Sequence, residues 1–257
     1  MNVARSKSFL SDRAISVLSP LILLGVWEIC ARTAVVDVRF FPAPSHVIKH
    51  LIEMIGAGEL WRHLGASLYR LVVGFFVGCV PAIAIGLAIG LYRPVRAALD
   101  PLISATYPIP KSSLLPLILL VFGLGESSKI AMVAIGVFYP VVINTAAGVR
   151  QIAPIFLDVG RNFGASRFNM FRTVALPGAL PLIMTGVKLG AGMGLVLIAI
   201  AEMVGAKSGL GYMIWNAWEL FDVQTMYVGL FVIAIIGFLL NAGFDMLERV
   251  IVPWRKG

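Results

Sequence analysis

The sequence predicts an all-α membrane protein with six transmembrane helices, and its composition and run lengths carry that prediction. Apolar residues make up 59% of the 257 residues, charged residues only 13%, and the mean hydropathy is +0.93. A soluble domain of this size does not need so apolar a composition. A run such as 71–92 rises about 33 Å as an α-helix, enough for a hydrocarbon core of roughly 30 Å. Because lipid offers no hydrogen-bond partners, such long runs indicate helices rather than barrel strands.

Six such runs divide the chain, which we treat as a single domain over residues 1–257. The predicted spans cover about 14–33, 67–92, 101–123, 128–149, 178–203 and 223–247. If both termini are cytoplasmic, more of the 21 Lys and Arg residues fall in inner segments than in outer ones. We therefore expect cytoplasmic N- and C-termini.

The N-terminal segment allows two interpretations. Arg5, Lys7 and Arg13 precede an apolar run, as they do in a cleaved signal peptide. The run is long for a signal, contains Glu28 and lacks a small-x-small cleavage site. These features favour a retained first helix.

The sequence gives no indication of an enzyme, a metal site or a nucleic-acid-binding surface. HExxH, GxSxG, CxxC and GxxxxGK[ST] do not occur in it. His46 and His50 are spaced to share a helix face, but a third ligand is missing, which favours a polar face over a metal site. Basic residues are dispersed rather than arranged in a stripe with aromatics. We expect no catalytic residue, metal or cofactor in this chain, so ATP-driven work would require another subunit to bind the nucleotide.

One polar segment, about 154–177, interrupts two hydrophobic runs, and we call it the elbow. Its residues predict two short helices, 155–163 and 167–174. Asp158 is expected near the N-terminal end of the first, where a carboxylate suits the helix dipole. Gly164 ends the first helix, Ser166 caps the second, and Leu176-Pro177 ends the second. An ordinary cytoplasmic loop with interfacial aromatics explains the same composition.

The spacing within the elbow resembles the EAA motif (E-A-A-x3-G-x9-I-x-L-P) of binding-protein-dependent ABC transporter permeases. Gly164, Leu176 and Pro177 match it, whereas Asp158-Val159-Gly160 departs from Glu-Ala-Ala. Four further stretches are similar to motifs of the same family, in the same order: "FPAPSHV", "IPKSSLLPLILLVFGLGESSK", "LPGALPLIMTGVKLG" and "AEMVGAKSGLGYMIWNA". Together they resemble the branch that carries nitrate, aliphatic sulfonates and taurine.

This resemblance implies a type I ABC importer permease fold in the bacterial cytoplasmic (inner) membrane. It implies a homodimer, two ATPase subunits that bind ATP and Mg on the cytoplasmic side, and an external binding protein that is periplasmic or lipid-anchored. The solute would be a sulfonate, nitrate or similar anion, with a neutral pyrimidine or an aromatic acid as the alternative. The residues expected to couple to the ATPase are Asp158, Arg161, Phe163, Gly164, Ala165, Ser166, Arg167, Phe168, Leu176 and Pro177.

Ionisable residues and broken backbone within the spans indicate the translocation pathway. The candidates are Pro110, Lys111, Ser112, Lys188, Met193 and Glu202. Two roles stay open for Lys111: facing an anion route, or packing against a carboxylate or a helix end. Lys188 is also placed to extend to the inner interface. The six predicted spans contain no mid-span pair of acids, which argues against a self-standing secondary carrier.

The fifth span carries glycines four residues apart, at Gly186, Gly190 and Gly194. This spacing lets two helix backbones approach closely. The partner is either a second subunit or another helix of the same chain, and the sequence leaves both possibilities open.

Overall fold

The structure is a computed structural model that describes residues 4–254, with side chains from residue 14 onward except those of residues 16, 17 and 167. Within that range the chain is helical and contains no strand. The helices are α1 (Ala4–Arg32), α2 (Pro44–Ala57), α3 (Glu59–Leu91), α4 (Arg93–Thr106), α5 (Leu115–Phe122), α6 (Glu126–Arg150), α7 (Pro154–Asn162), α8 (Arg167–Met170), α9 (Leu176–Met203), α10 (Leu210–Glu219) and α11 (Val223–Ile251). The predicted all-α class is confirmed.

Four helices are long and apolar enough to cross a membrane. They are Glu59–Leu91, Glu126–Arg150, Phe168–Met203 and Val223–Ile251. A fifth crossing is possible where α4 and the segment Lys111–Phe122 form a pair bent by 92°. These findings support a multi-pass membrane protein, whereas the count of six, which also needs a span on α1, stays a prediction.

The bend falls inside the predicted span 101–123. Pro108 and Pro110 lack backbone N–H groups, so the α-helical ladder cannot continue through them. The chain resumes as a 3₁₀ turn over Lys111–Leu114 and then as α5. The third hydrophobic run is therefore two short helical segments rather than one straight helix.

Contacts between residues divide the chain into two units. One consists of Met1–Trp61 and Met213–Phe231, and the other of Arg62–Tyr212 and Val232–Gly257. In the first unit, Glu28 accepts hydrogen bonds from the amide and the hydroxyl of Ser45 at 2.9 and 2.7 Å, which fixes the start of α2 on α1. His50 Nε2 lies 2.8 Å from Thr225 Oγ1. No group of three metal-ligating side chains occurs among the described residues.

In the second unit, α6 and α9 make the most extensive helix contact. A Cβ atom added at Gly186 would lie 2.8 Å from Cβ of Asn144, and one at Gly190 would lie 3.1 Å from the carbonyl oxygen of Val137. Gly194 faces α6 in the same way. The glycine stripe of α9 therefore packs within the chain, which decides between the two possibilities left open by the sequence.

Candidate functional site

The first half of the elbow is α7 and the turn that ends it. Gly164 follows α7 with a φ of 68°, in the left-handed region. The amide of Gly164 donates to the carbonyl of Arg161 at 2.9 Å, and the amide of Ala165 donates to the carbonyl of Gly160 at 3.0 Å. This pair of bonds is a Schellman C-cap. Nothing lies within 4 Å of a Cβ added at Gly164, so the requirement for glycine is conformational rather than steric.

The second half of the elbow begins as predicted and ends differently. Ser166 Oγ accepts a hydrogen bond from the amide of Asn169 at 3.2 Å, which caps α8. The prediction that Leu176-Pro177 stops this helix is wrong, because a π-helical turn, Phe171–Ala175, joins α8 directly to α9. The amide of Leu176 donates to the carbonyl of Phe171, five residues back, and this wider turn accommodates Pro177, which has no amide to donate. Phe168–Met203 is consequently one continuous helix.

The acidic residue of the motif also lies elsewhere than predicted. Because α7 begins at Pro154, Asp158 sits in the middle of the helix and not in its first turn, where the helix dipole would act on it. Its Oδ1 instead accepts a hydrogen bond from Arg161 Nη1 at 3.2 Å, and both side chains are exposed. A Cβ at Gly160 would lie 2.6 Å from Cε of Met170. The glycine that replaces the motif's alanine therefore leaves room for the side chain of Met170, on α8, to pack against α7.

The elbow presents apolar side chains to its surroundings. Phe163 is 88% exposed and Phe168 is 68% exposed, and three apolar side chains of α7 are also exposed: Ile155, Phe156 and Val159. Ser166 is exposed as well, whereas Ala165, Leu176 and Pro177 are half-buried. The side chain of Arg167, another expected docking residue, lies outside the described residues. Several large apolar side chains exposed within one short segment are typical of a site that another protein covers.

Three of the predicted pathway residues meet at one cavity of about 370 Å³. Pro110, Lys111 and Met193 line it together with Tyr107, Tyr139 and Asn144. Ser112 is exposed and does not line it, and neither do Lys188 and Glu202. We call this space the central cavity. Tyr139 and Asn144 were not predicted, since a tyrosine and an asparagine inside an apolar run give no pattern that separates wall from core.

Lys111 holds the break between α4 and α5. Its Nζ donates to the carbonyl oxygens of Thr106, Tyr107 and Ile109 at 3.1, 2.8 and 2.9 Å, which occupies all three ammonium protons. The same nitrogen lies 3.9 Å from the ring centroid of Tyr139, a cation–π contact. Lys111 therefore packs against a helix end, as one of its two open roles anticipated, and it does so in the wall of the central cavity.

Glu202 caps a helix and does not line the central cavity, so its predicted pathway role stays a prediction. It is fully buried, and its carboxylate accepts hydrogen bonds from Arg70 Nη1 at 2.8 Å and from Ser67 Oγ. It also accepts from the amide of Gly211 at 3.0 Å, while Ser67 Oγ accepts from the amide of Leu210. The first amides of α10 are thus bound by side chains, so Glu202 has a structural task.

Arg70 is the residue of this cluster that was not predicted from the sequence. It lies at the start of the predicted span 67–92, where nothing in the sequence indicates a partner, and it is only 3% exposed. Its guanidinium forms two hydrogen bonds with Glu126, at 2.6 and 2.7 Å, in addition to the one with Glu202. Both partners are far away in the sequence, and no local pattern identifies them.

Lys188 is likewise paired with carboxylates and does not itself line the central cavity, although its neighbour Leu189 does. Its Nζ donates to Oδ1 of Asp245 at 2.6 Å and also contacts the carboxylate of Glu248. These carboxylates on α11 lie within reach of the ammonium and tie α9 to α11, and the pathway role of Lys188 stays a prediction. Charge pairing inside the protein thus replaces the expected extension of Lys188 to the interface.

The sequence is similar to those of known transport permeases. The sequence pattern of a family described as "binding-protein-dependent transport system inner membrane component" matches residues 82–257. The taurine transport system permease protein of Escherichia coli K12 is 37% identical over 94% of this chain and 90% of its own length. A putative aliphatic sulfonates transport permease protein of Bacillus subtilis 168 is 32% identical over 93% and 87%.

The fold has relatives among solved structures. A chain of the methionine ABC transporter in an inward-facing conformation superposes with a TM-score of 0.63 at 21% identity, covering 75% of this chain and 95% of that one. At this level of identity the likeness concerns the fold alone. The architecture is that of a known ABC transporter chain.

Proposed function

Because this chain belongs to the family of binding-protein-dependent transport system inner membrane components, we propose that it imports a small sulfonate across the bacterial cytoplasmic membrane. It is the permease subunit of an ABC importer. The two similar permeases are named for taurine and for aliphatic sulfonates, and those solutes share the sulfonate group. Nitrate, a neutral pyrimidine and an aromatic acid are the competing solutes that the experiment below distinguishes.

The working assembly has three kinds of subunit. Two copies of this chain form the membrane part, an ATPase subunit with ATP and Mg docks on each cytoplasmic elbow, and a binding protein delivers solute from outside. The observation that carries this assignment is the exposure of Phe163 and Phe168 on either side of the Gly164 turn. Large apolar side chains that are exposed on a rigid, capped turn suit a groove on a soluble partner.

The helix that leaves the elbow is continuous, which supports direct transmission of motion from the ATPase to the central cavity. Phe168 and Met193 lie on the same continuous helix, Phe168–Met203, and Met193 lines the central cavity. At 1.5 Å per residue they are about 37 Å apart along its axis. ATP-driven closure of the ATPases would move both elbows and therefore the cavity walls, as a rigid-body change between two states. At its far end, the same helix holds α10 through Glu202.

The central cavity suits an anionic solute. The ammonium of Lys111 remains in its wall although its protons are engaged, and so contributes a positive potential. Asn144 and Tyr139 add polar groups to the lining, while Met193 and Pro110 add apolar surface. A small molecule with an anionic head and a short aliphatic part matches these two kinds of wall.

Reconstitution tests the proposal. The permease, its ATPase and its binding protein are assembled in vesicles, and ATP hydrolysis and uptake are measured with taurine, ethanesulfonate, nitrate, a pyrimidine and benzoate. We expect stimulation and uptake with a sulfonate, together with a thermal shift of the binding protein. Stimulation by nitrate, the pyrimidine or benzoate alone contradicts the sulfonate assignment. Uptake that persists without any ATPase subunit would instead show a secondary carrier.

A further inference from the structure

A second cavity lies next to the central one, toward the elbow end of α6. It has a volume of about 320 Å³ and shares the lining residues Tyr107 and Ile143 with the central cavity. Its other polar lining residues are Ser104, Asp100 and Arg150. We call it the inner cavity. The two cavities are neighbours along α6, and the inner one is lined at the end of that helix by a pair of opposite charges.

This pair differs from the arginine–carboxylate pair of Arg70 and Glu126 in the same unit. Arg150 Nη1 and Asp100 Oδ2 are 3.5 Å apart, and their side chains are 44% and 39% exposed. Arg70 and Glu126 approach to 2.6 Å, with Arg70 only 3% exposed. A long, half-exposed pair is weakly held and readily exchanged for another partner. Arg150 is also the last residue of α6, where the helix dipole favours a cation even without Asp100.

We propose that the inner cavity is an exit site for the sulfonate group, in which Arg150 contacts the solute and Asp100 competes for Arg150. This inference rests on the proposed function. Lys111, in the wall of the central cavity, donates every ammonium proton to a backbone carbonyl, so it attracts an anion without binding it closely. The guanidinium of Arg150 presents a planar fork of donors that matches two sulfonate oxygens. The Ser104 hydroxyl, on the same wall, is a further donor.

Asp100 gives the site a way to release its ligand. While the sulfonate occupies Arg150, the nearby carboxylate repels it, and after the solute leaves, Arg150 pairs with Asp100 again. Transport needs binding that is strong enough to attract the solute and weak enough to let it go. The exchange between two anions at one guanidinium provides both.

Charged thiol reagents test the site without relying on transport. Ser104→Cys is introduced into the reconstituted importer with Cys30 and Cys79 replaced by alanine. The thiol is then modified with 2-sulfonatoethyl methanethiosulfonate or with its trimethylammonium counterpart. We expect Arg150→Gln to lower the anionic-to-cationic rate ratio about tenfold, the order expected for one partly screened charge nearby. Asp100→Asn should raise this ratio. A ratio that is unchanged by both substitutions overturns the proposal.

Uptake of taurine and ethanesulfonate gives the second readout. Arg150→Gln should lower the uptake rate at least tenfold, and Arg150→Lys should restore part of it. Asp100→Asn should lower the solute concentration for half-maximal uptake, with a smaller loss of maximal rate, because the solute is released more slowly. A merely structural ion pair predicts equal losses for Arg150→Gln and Asp100→Asn, which contradicts the inference. Arg93→Gln is the matched control, because it removes an exposed arginine at the start of α4 that lines neither cavity. If the unmodified importer moves no sulfonate, the proposed function fails, while the reagent ratios still test the cation site.

Discussion

Replacing Gly164 by alanine should weaken the docking of the ATPase subunit while leaving the membrane helices intact. Gly164 has a φ of 68°, and a residue with a Cβ costs about 1–2 kcal/mol in that conformation. No atom lies within 4 Å of the added Cβ, so steric overlap contributes nothing. Reduced entropy of the unfolded chain returns about 0.4–1 kcal/mol. The net cost to the capped elbow is about 1 kcal/mol.

This energy sets the size of the functional effect. A change of about 1 kcal/mol alters the ratio of capped to uncapped elbow by about fivefold. If the partner binds only the capped form, its apparent affinity falls by up to the same factor. We expect Gly164→Asn to cost less, because asparagine tolerates the left-handed region. Gly164→Trp, which adds an indole to the docking surface, should abolish substrate-stimulated ATP hydrolysis while membrane insertion stays normal.

Binding of the ATPase subunit to detergent-solubilised permease measures the affinity, and stimulated ATP hydrolysis in vesicles measures the coupling. Gly192→Ala is the matched control, since that glycine lies within α9 and also has nothing within 4 Å of an added Cβ. It should be neutral or slightly stabilising. Equal behaviour of Gly164→Ala and Gly192→Ala, or normal stimulation in Gly164→Trp, would refute the coupling role of the turn.

Three further predictions concern the exposed and the buried side chains. Combined Phe163→Ala and Phe168→Ala should lower the affinity for the ATPase at least tenfold without lowering the melting temperature, because both rings are exposed; a lower melting temperature with unchanged affinity would argue against docking. Glu202→Ala should destabilise the permease by about 3–5 kcal/mol, since it leaves Arg70 short of a buried partner, and thermal unfolding that matches the unsubstituted chain would contradict this. Lys188→Met should cost about 1 kcal/mol or less, because its pairing with Asp245 is partly exposed to solvent, and a loss as large as that of Glu202→Ala would show the reasoning to be wrong.

The sequence was sufficient for the features that local chemistry determines. An apolar composition with long runs leads to membrane helices, and Gly164 with Ser166 leads to a capped turn, because each depends on neighbouring residues. Proline spacing likewise indicated the break before Lys111. The C-terminal end of the elbow was predicted wrongly. A proline such as Pro177 is compatible both with the start of a new helix and with the continuation of the preceding one.

The partners of the charged residues could not be predicted from the sequence. Arg70 and Glu202 are 132 positions apart, and Asp100 and Arg150 are 50 apart, so their pairing follows from the packing of three helices around α6. Glu202 and Lys188 were assigned to the pathway because charge within a span usually marks function. Both proved to be satisfied by internal partners, which is the other stable solution for a charge in lipid.

The central claim is that this chain carries a sulfonate inward with energy supplied by a separate ATPase that acts on the elbow. Accumulation of labelled taurine or ethanesulfonate in vesicles that contain the permease, its ATPase and its binding protein tests this claim most directly. Accumulation should require ATP and all three components, and it should be lost in Gly164→Trp. Solute accumulation without the ATPase, or no accumulation of either sulfonate in the complete system, would contradict it.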